Sequence, residues 1–275
     1  MPLAFWGKRA EANFWDTHWE AVDIETTLTN LEDTFLARVI ESFLPKNGKI
    51  LEGGCGLGQW VLYLRAKGYD IVGIDFAEDT IRRVKECFPN LPVETGNILD
   101  LPYPDGYFSA YISLGVMEHF EEGPEEALAE AHRVLQKGGL LLCSIPYFNP
   151  LRRIKKKLFK SYHLPKAGEK FYQWAFTKQE IRNIMKNAGF QVHRVIPFDA
   201  VKGIKDELPG MRKFYQLLKG NSQKAGARTK TKASKQDSSR LASQVVKSML
   251  KEVLELYLVR NIFGHMVLAI AEKQG

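Results

Sequence analysis

The chain has 275 residues, of which 45% are hydrophobic and 26% charged, proportions that suit one soluble α/β core with additions rather than a fibrous or disordered chain. No apolar run approaches the ~18 residues of a transmembrane helix, the start MPLAFWGKRAEANFW lacks the order of a secretory leader, and three cysteines without metal-ligand spacing fit a reducing, cytoplasmic setting. The net charge of +7 gathers in 152–160 and 219–235, so it describes two segments and gives little support to a nucleic-acid partner.

Residues 1–48 read as an N-terminal helical cap. Phe14, Trp15, Trp19 and Val22 recur at helical spacing, then Leu31, Phe35, Leu36, Val39, Ile40 and Phe43, closed by Pro45 and Gly48. Aromatic residues so spaced read more often as core packing, which is the favoured expectation for Trp15 and Trp19, with lid residues over a pocket as the alternative.

The most informative stretch is 49–75. The apolar pair Ile50-Leu51 enters Glu52-Gly53-Gly54-Cys55-Gly56-Leu57-Gly58; a helical pattern through Trp60, Val61 and Leu64 stops at Gly68; and Ile71-Val72-Gly73-Ile74 ends on Asp75. Strand, glycine turn, helix, strand and acid form half of a nucleotide-binding βαβ unit. A dinucleotide fingerprint reads G-x-G-x-x-G, and the position completing it from Gly54 and Gly56 is Gln59. The pattern is instead E-x-G-x-G-x-G, which argues against NAD.

Further on, a helix is expected over 78–87, a strand over 92–96 and another over 110–114, followed by Gly115-Val116-Met117-Glu118-His119-Phe120. A helix over 124–135 and a strand over 140–145 come next, then a helix leading to Ala188-Gly189-Phe190 and a sixth strand, with the last strand over 264–271.

These motifs, with Leu101-Pro102-Tyr103-Pro104-Asp105-Gly106 and Arg133-Val134-Leu135-Gln136-Lys137-Gly138-Gly139, resemble the class I S-adenosylmethionine (SAM)-dependent methyltransferases of the ubiquinone-type and small-molecule branch. The resemblance implies a Rossmann-like, doubly wound, seven-stranded sheet, mostly parallel with an antiparallel last strand, carrying N-terminal helices and helical insertions. It implies SAM as cofactor, with Glu52, Gly54, Cys55, Gly56 and Gly58 in the glycine loop and Asp75 on the ribose hydroxyls. Phe76, Asn97, Ile98 and Leu114 complete that cofactor set; Asn97 stands where the family usually has an aspartate, and Ile98 is expected on the purine face. His119 is the candidate general base, because histidine titrates near neutrality, and Tyr147 and Asn149 are candidate pocket residues. Gly115 replaces the first carboxylate of the Glu, Glu, His set that some related quinone O-methyltransferases use for a metal, so no metal is expected.

The boundaries that follow are 49–146 for the SAM-binding core, 147–176 for a lid that selects substrate, and 177–198 for the continuation of the core. A helical insertion with a disordered basic loop at 221–239 is expected over 199–262, and the last strand with the C-terminus over 263–275. Within the lid, Leu151, Ile154 and Leu158 share a face while Arg152, Arg153, Lys155, Lys156 and Lys157 spread over the remainder. This basic amphipathic helix reads either as a lid with a solvated basic face or as a peripheral membrane contact over 151–160. The expected reaction is methyl transfer to an O, N or C atom of a small-molecule or lipid-like acceptor. Alternatives are a methyltransferase acting on protein or nucleic acid, and a non-catalytic SAM-binding regulatory or membrane-associated protein. Oligomeric state is not legible.

Overall fold

The computed structural model describes residues 1–20, 22, 31–32, 34–159, 162, 165–208, 210–211 and 256–275. In chain order these form β1 (Leu3–Gly7), α1 (Ala12–Glu20), α2 (Phe35–Phe43), β2 (Lys49–Gly53), α3 (Gln59–Ala66), β3 (Asp70–Asp75), α4 (Glu78–Cys87), β4 (Val93–Thr95) and β5 (Phe108–Leu114). They continue as α5 (Glu125–Val134), β6 (Leu135–Pro146), α6 (Pro150–Phe159), β7 (Lys170–Ala175), α7 (Lys178–Asn187), β8 (Phe190–Phe198), α8 (Ala200–Glu207), α9 (Tyr257–Phe263) and β9 (Met266–Lys273). The chain divides into two compact units, Met1–Phe148 with Tyr162–Ile196 and Met266–Gly275, and Asn149–Ser161 with Pro197–His265.

The first unit holds a seven-stranded sheet in the order β4-β3-β2-β5-β6-β9-β8. β2 runs parallel to β3 and to β5, β3 to β4 and β5 to β6. β9 reverses, pairing antiparallel with β6 from Leu140↔Glu272 to Pro146↔Met266. The expected doubly wound sheet with an antiparallel last strand is therefore present. Its central strands are apolar on both faces because helices cover both: Ile50, Leu51, Ile71, Ile74, Phe108, Tyr111 and Ile112 are almost completely buried. α5 contributes Ala127, Leu128, Ala131 and Val134 to that core, the i, i+3, i+4 stripe of a helix lying on a sheet. α7 starts on a capping box in which Thr177 and Glu180 exchange side-chain and backbone bonds.

Three boundaries differ from the sequence reading. The N-terminal cap opens with a strand, β1, which pairs antiparallel with β7 from Leu3↔Ala175 to Gly7↔Lys170. The partner lies far along the chain, so no local signal marks it. β6 starts at Leu135 rather than Leu140, directly after α5. The stretch read as one lid is divided between the units at Phe148 and Tyr162. The loop 221–239 and most of the helix expected after it lie outside the described residues.

The second unit is built from α6, α8 and α9 around a buried ion network. Arg152 is 3% exposed and donates from Nε to Glu207 Oε1 at 2.7 Å; Lys155 Nζ reaches Glu207 Oε2 at 2.7 Å. Arg152 Nη2 also donates to His265 Nδ1 at 2.9 Å. A guanidinium can only donate, so Nδ1 holds a lone pair, and burial with Arg152 pushes the His265 pKa down to about 3. Arg152 is thus a correction to the solvated basic face: its charge is spent inside. Removing Glu207 leaves that charge buried without its carboxylate, so Glu207→Ala is expected to cost about 3–5 kcal/mol. Urea denaturation followed by circular dichroism checks this, and a loss under about 1 kcal/mol would show that solvent takes over the pairing.

Candidate functional site

The site lies where strand order reverses, between β2 and β5, at the carboxyl ends of the strands, the place where open α/β sheets bind ligands. After β2 the chain turns through Gly54, Gly56 and Gly58, and Gly54 N and Cys55 N both donate to Ile74 O, at 2.8 and 3.0 Å. Gly54 and Gly56 have φ of +77° and +50°, a region that L side chains rarely enter. Space is short as well: a Cβ on Gly54 would stand 2.4 Å from Val116 Cγ2, and one on Gly56 would stand 3.0 Å from Trp19 Cζ2. The loop therefore presents bare backbone to the cavity.

Asp75 fixes this loop. Its Oδ2 accepts from Gly56 N at 2.8 Å and its Oδ1 from Ala77 N at 3.0 Å. The carboxyl is 6% exposed, and burial raises its pKa against those two bonds. Each oxygen keeps a second lone pair for a ligand hydroxyl. Glu52, on β2, is 3% exposed; burial and the neighbouring Asp75 drive its pKa well up. Its Oε2 has no hydrogen-bond partner among the described residues.

The opposite wall comes from the end of β5 and from α1. His119 Nδ1 stands 2.7 Å from Tyr172 O. A carbonyl only accepts, so Nδ1 carries the proton and Nε2 is the acceptor nitrogen of the ring. Burial lowers the His119 pKa, which keeps the imidazole neutral at physiological pH. Its ring meets Trp15 edge-on at 5.2 Å and Tyr172 at 5.0 Å. α1 is held by Asp16, whose Oδ1 accepts from Thr80 N at 2.9 Å and from Thr80 Oγ1 at 2.8 Å.

Together these walls enclose a cavity of about 160 Å³ lined by Ala10, Trp15, Trp19, Gly54, Gly56, Asp75, Phe76, Leu114, Gly115, Val116, His119 and Phe120. Of the residues singled out from sequence, Gly54, Gly56, Asp75, Phe76, Leu114 and His119 meet there. Glu52, Cys55 and Gly58 belong to the same strand and loop without lining it. The Cys55 thiol is buried, and that burial raises its pKa far from the thiolate range. Asn97 and Ile98 follow β4 and stand outside the lining: Asn97 Oδ1 accepts from Leu99 N at 3.0 Å, and Ile98 packs in the core. Tyr147 is likewise a core residue, and Asn149, in the second unit, spends its amide on Gly264 O and Arg152 N. Trp15 and Trp19 follow the lid alternative rather than the favoured core packing, since α1 buries no residue completely and both residues line the cavity. Val116 and Phe120 escaped the sequence reading, although they flank His119. Among the described residues no group of three or more His, Cys, Asp or Glu could hold a metal ion.

A glycine turn opening a helix, an acid closing the next strand and a cavity at the sheet's switch point define a nucleotide-cofactor site of the doubly wound class. Residues 51–143 match the family model described as "Methyltransferase domain". This core is a class I SAM-dependent methyltransferase domain, and its cofactor is SAM. A Mycolicibacterium smegmatis protein named "Probable S-adenosylmethionine-dependent methyltransferase" is 28% identical over 146 residues, 52% of this chain and 52% of that one, so the match spans about half the length of that relative. The demethylmenaquinone methyltransferase of Staphylococcus saprophyticus is 27% identical over 188 residues, 60% of this chain and 80% of its own. In fold, the chain matches a component of the complex between the Haloferax volcanii Trm112 methyltransferase activator and a methyltransferase, with TM-score 0.56, 14% identity and coverage of 98% and 100%.

Gly54→Ala forces a side chain into a left-handed conformation, at about 1–2 kcal/mol, and into Val116. SAM affinity, measured by calorimetry on folded protein, is expected to fall more than about tenfold, the equivalent of 1.4 kcal/mol. An unchanged affinity would show that the loop backbone does not touch the cofactor.

Proposed function

We propose that this chain transfers a methyl group from SAM to an O, N or C atom of a small, apolar or lipid-like acceptor, by in-line displacement. The observation that carries the reading is one cavity that joins a polar wall, formed by the glycine loop and Asp75, to an apolar wall of Trp15, Val116 and Phe120 beside His119. The polar wall suits the cofactor: Asp75 offers carboxylate lone pairs to ribose hydroxyls, and Gly54 and Gly56 permit close approach. When bound, SAM supplies a methyl group already activated on a positively charged sulfur.

The residues of the chain then position and deprotonate. Trp15, Val116 and Phe120 exclude water and favour a flat or aliphatic acceptor over a charged one. His119 Nε2, left as acceptor by the Nδ1 bond to Tyr172, takes the proton from an acceptor hydroxyl or amine. Holding nucleophile and methyl carbon in line supplies the remaining acceleration. The similarity to the staphylococcal demethylmenaquinone methyltransferase supports an acceptor of this apolar kind.

Calorimetric titration with SAM, S-adenosylhomocysteine and NAD tests the cofactor part; binding of the first two and none of NAD is expected. Asp75→Ala should weaken SAM by about 1.5–3 kcal/mol through the lost charged hydrogen bonds, and unchanged binding would remove Asp75 from the site. With a turned-over acceptor in hand, His119→Gln should lower kcat by about 10²–10⁴-fold while leaving SAM affinity intact. Because burial lowers the His119 pKa, the base stays neutral through physiological pH. The rate should therefore hold down to below the usual histidine range near 6.5 and fall only in more acid solution. Loss of that acid limb in His119→Gln supports the role; an identical pH profile in the variant removes it.

A further inference from the structure

We propose that α6 and α9 form a docking surface for an anionic lipid bilayer. On α6, Ile154 and Leu158 are one turn apart and 53% and 65% exposed, and Phe159 beside them is 71% exposed. On α9 and the residue before it, Leu256, Tyr257 and Leu258 are 56%, 69% and 71% exposed. The two helices belong to one unit and pack on each other. Large apolar side chains this exposed on two neighbouring helices exceed what a solvated surface carries by chance.

Charge selects the occupant. The described residues of the second unit include eight Lys or Arg and three Asp or Glu. Two of the three acids are spent inside the unit, Glu207 on Arg152 and Lys155 and Asp199 capping α8 through Lys202 N; Asp206 lies 3.5 Å from His265 Nδ1. Arg153 and Lys157 are exposed and, at i and i+4, form a basic row directly beside Ile154 and Leu158. A short helix with one cationic and one apolar face, ending in a phenylalanine, lies in the interface of a membrane, its side chains in the acyl boundary and its cations on the headgroups. Arg152 lies on the other side of α6 and is turned inward to Glu207, so the exposed cations include those that flank the apolar row. The inference stands apart from the acceptor reading, since it concerns where the protein resides and none of these residues lines the cofactor cavity.

Sedimentation of the full chain with phosphatidylcholine vesicles, with or without phosphatidylglycerol, tests it. The protein is expected to partition onto the anionic vesicles and not onto the neutral ones, with binding that weakens as salt rises. The double variant Arg153→Glu/Lys157→Glu should reduce partitioning by more than about tenfold, and the triple variant Ile154→Ser/Leu158→Ser/Phe159→Ser likewise. Both variants should keep the circular dichroism spectrum and the SAM affinity of the parent, which separates this outcome from a failed fold or a failed cofactor site. Equal partitioning on both vesicle types, or full binding by the folded triple variant, would overturn the proposal. So would a dimer in sedimentation velocity that the triple variant dissolves, because the face would then belong to a second copy of the chain.

Discussion

The carboxylate of Asp75 is the constraint on which the site depends. Its two oxygens each take a backbone N–H, one from Gly56 and one from Ala77, and so tie the turn after β2 to the turn after β3. A buried acid without such donors would stay protonated; here burial pulls one way and the two amides pull the other. The loop can satisfy the acid because glycines let it turn through left-handed backbone while keeping its N–H groups pointed inward. Glu52, buried on β2, is pushed well up in pKa by its own burial and then by Asp75, so the pair avoids two adjacent negative charges.

The roof over this site depends on a cap supplied from a distance. The N-cap of α4 is Ala77, whose methyl group cannot bind the orphan amides of the first turn. Asp16 of α1 takes the bond at Thr80 N that a local cap would have taken, and its charge suits the positive end of α4. Position and chemistry are thereby coupled: the bond that completes α4 also sets Trp19 against Gly56 and Trp15 against His119.

What the sequence made legible was local. The βαβ unit, the glycine turn and Asp75 lie within one short stretch whose spacing is set by a single turn, and the apolar periodicity of β2, β3, β5 and α5 is the direct signature of burial. What stayed hidden was decided by partners far along the chain. Trp15 and Trp19 share a helix face whether that face meets a core or a cavity, so spacing could not separate the two. The pairing of Leu3 with Ala175 leaves no trace in either segment. Arg152 sits in a run of cations that reads as solvated, and only Glu207, 55 residues on, draws it inside.

The electrostatics around His119 follow from the same logic of burial. Its neighbour Glu118 is 2% exposed, and burial pushes its pKa up to about 8, so at neutral pH it is mainly a protonated acid. An ionised carboxylate in that position would favour imidazolium and spoil a base. A neutral one leaves desolvation in control, and desolvation lowers the histidine pKa. The burial of Glu118 therefore does more than fill space beneath the turn after β5. It also keeps a carboxylate charge out of the turn that carries His119.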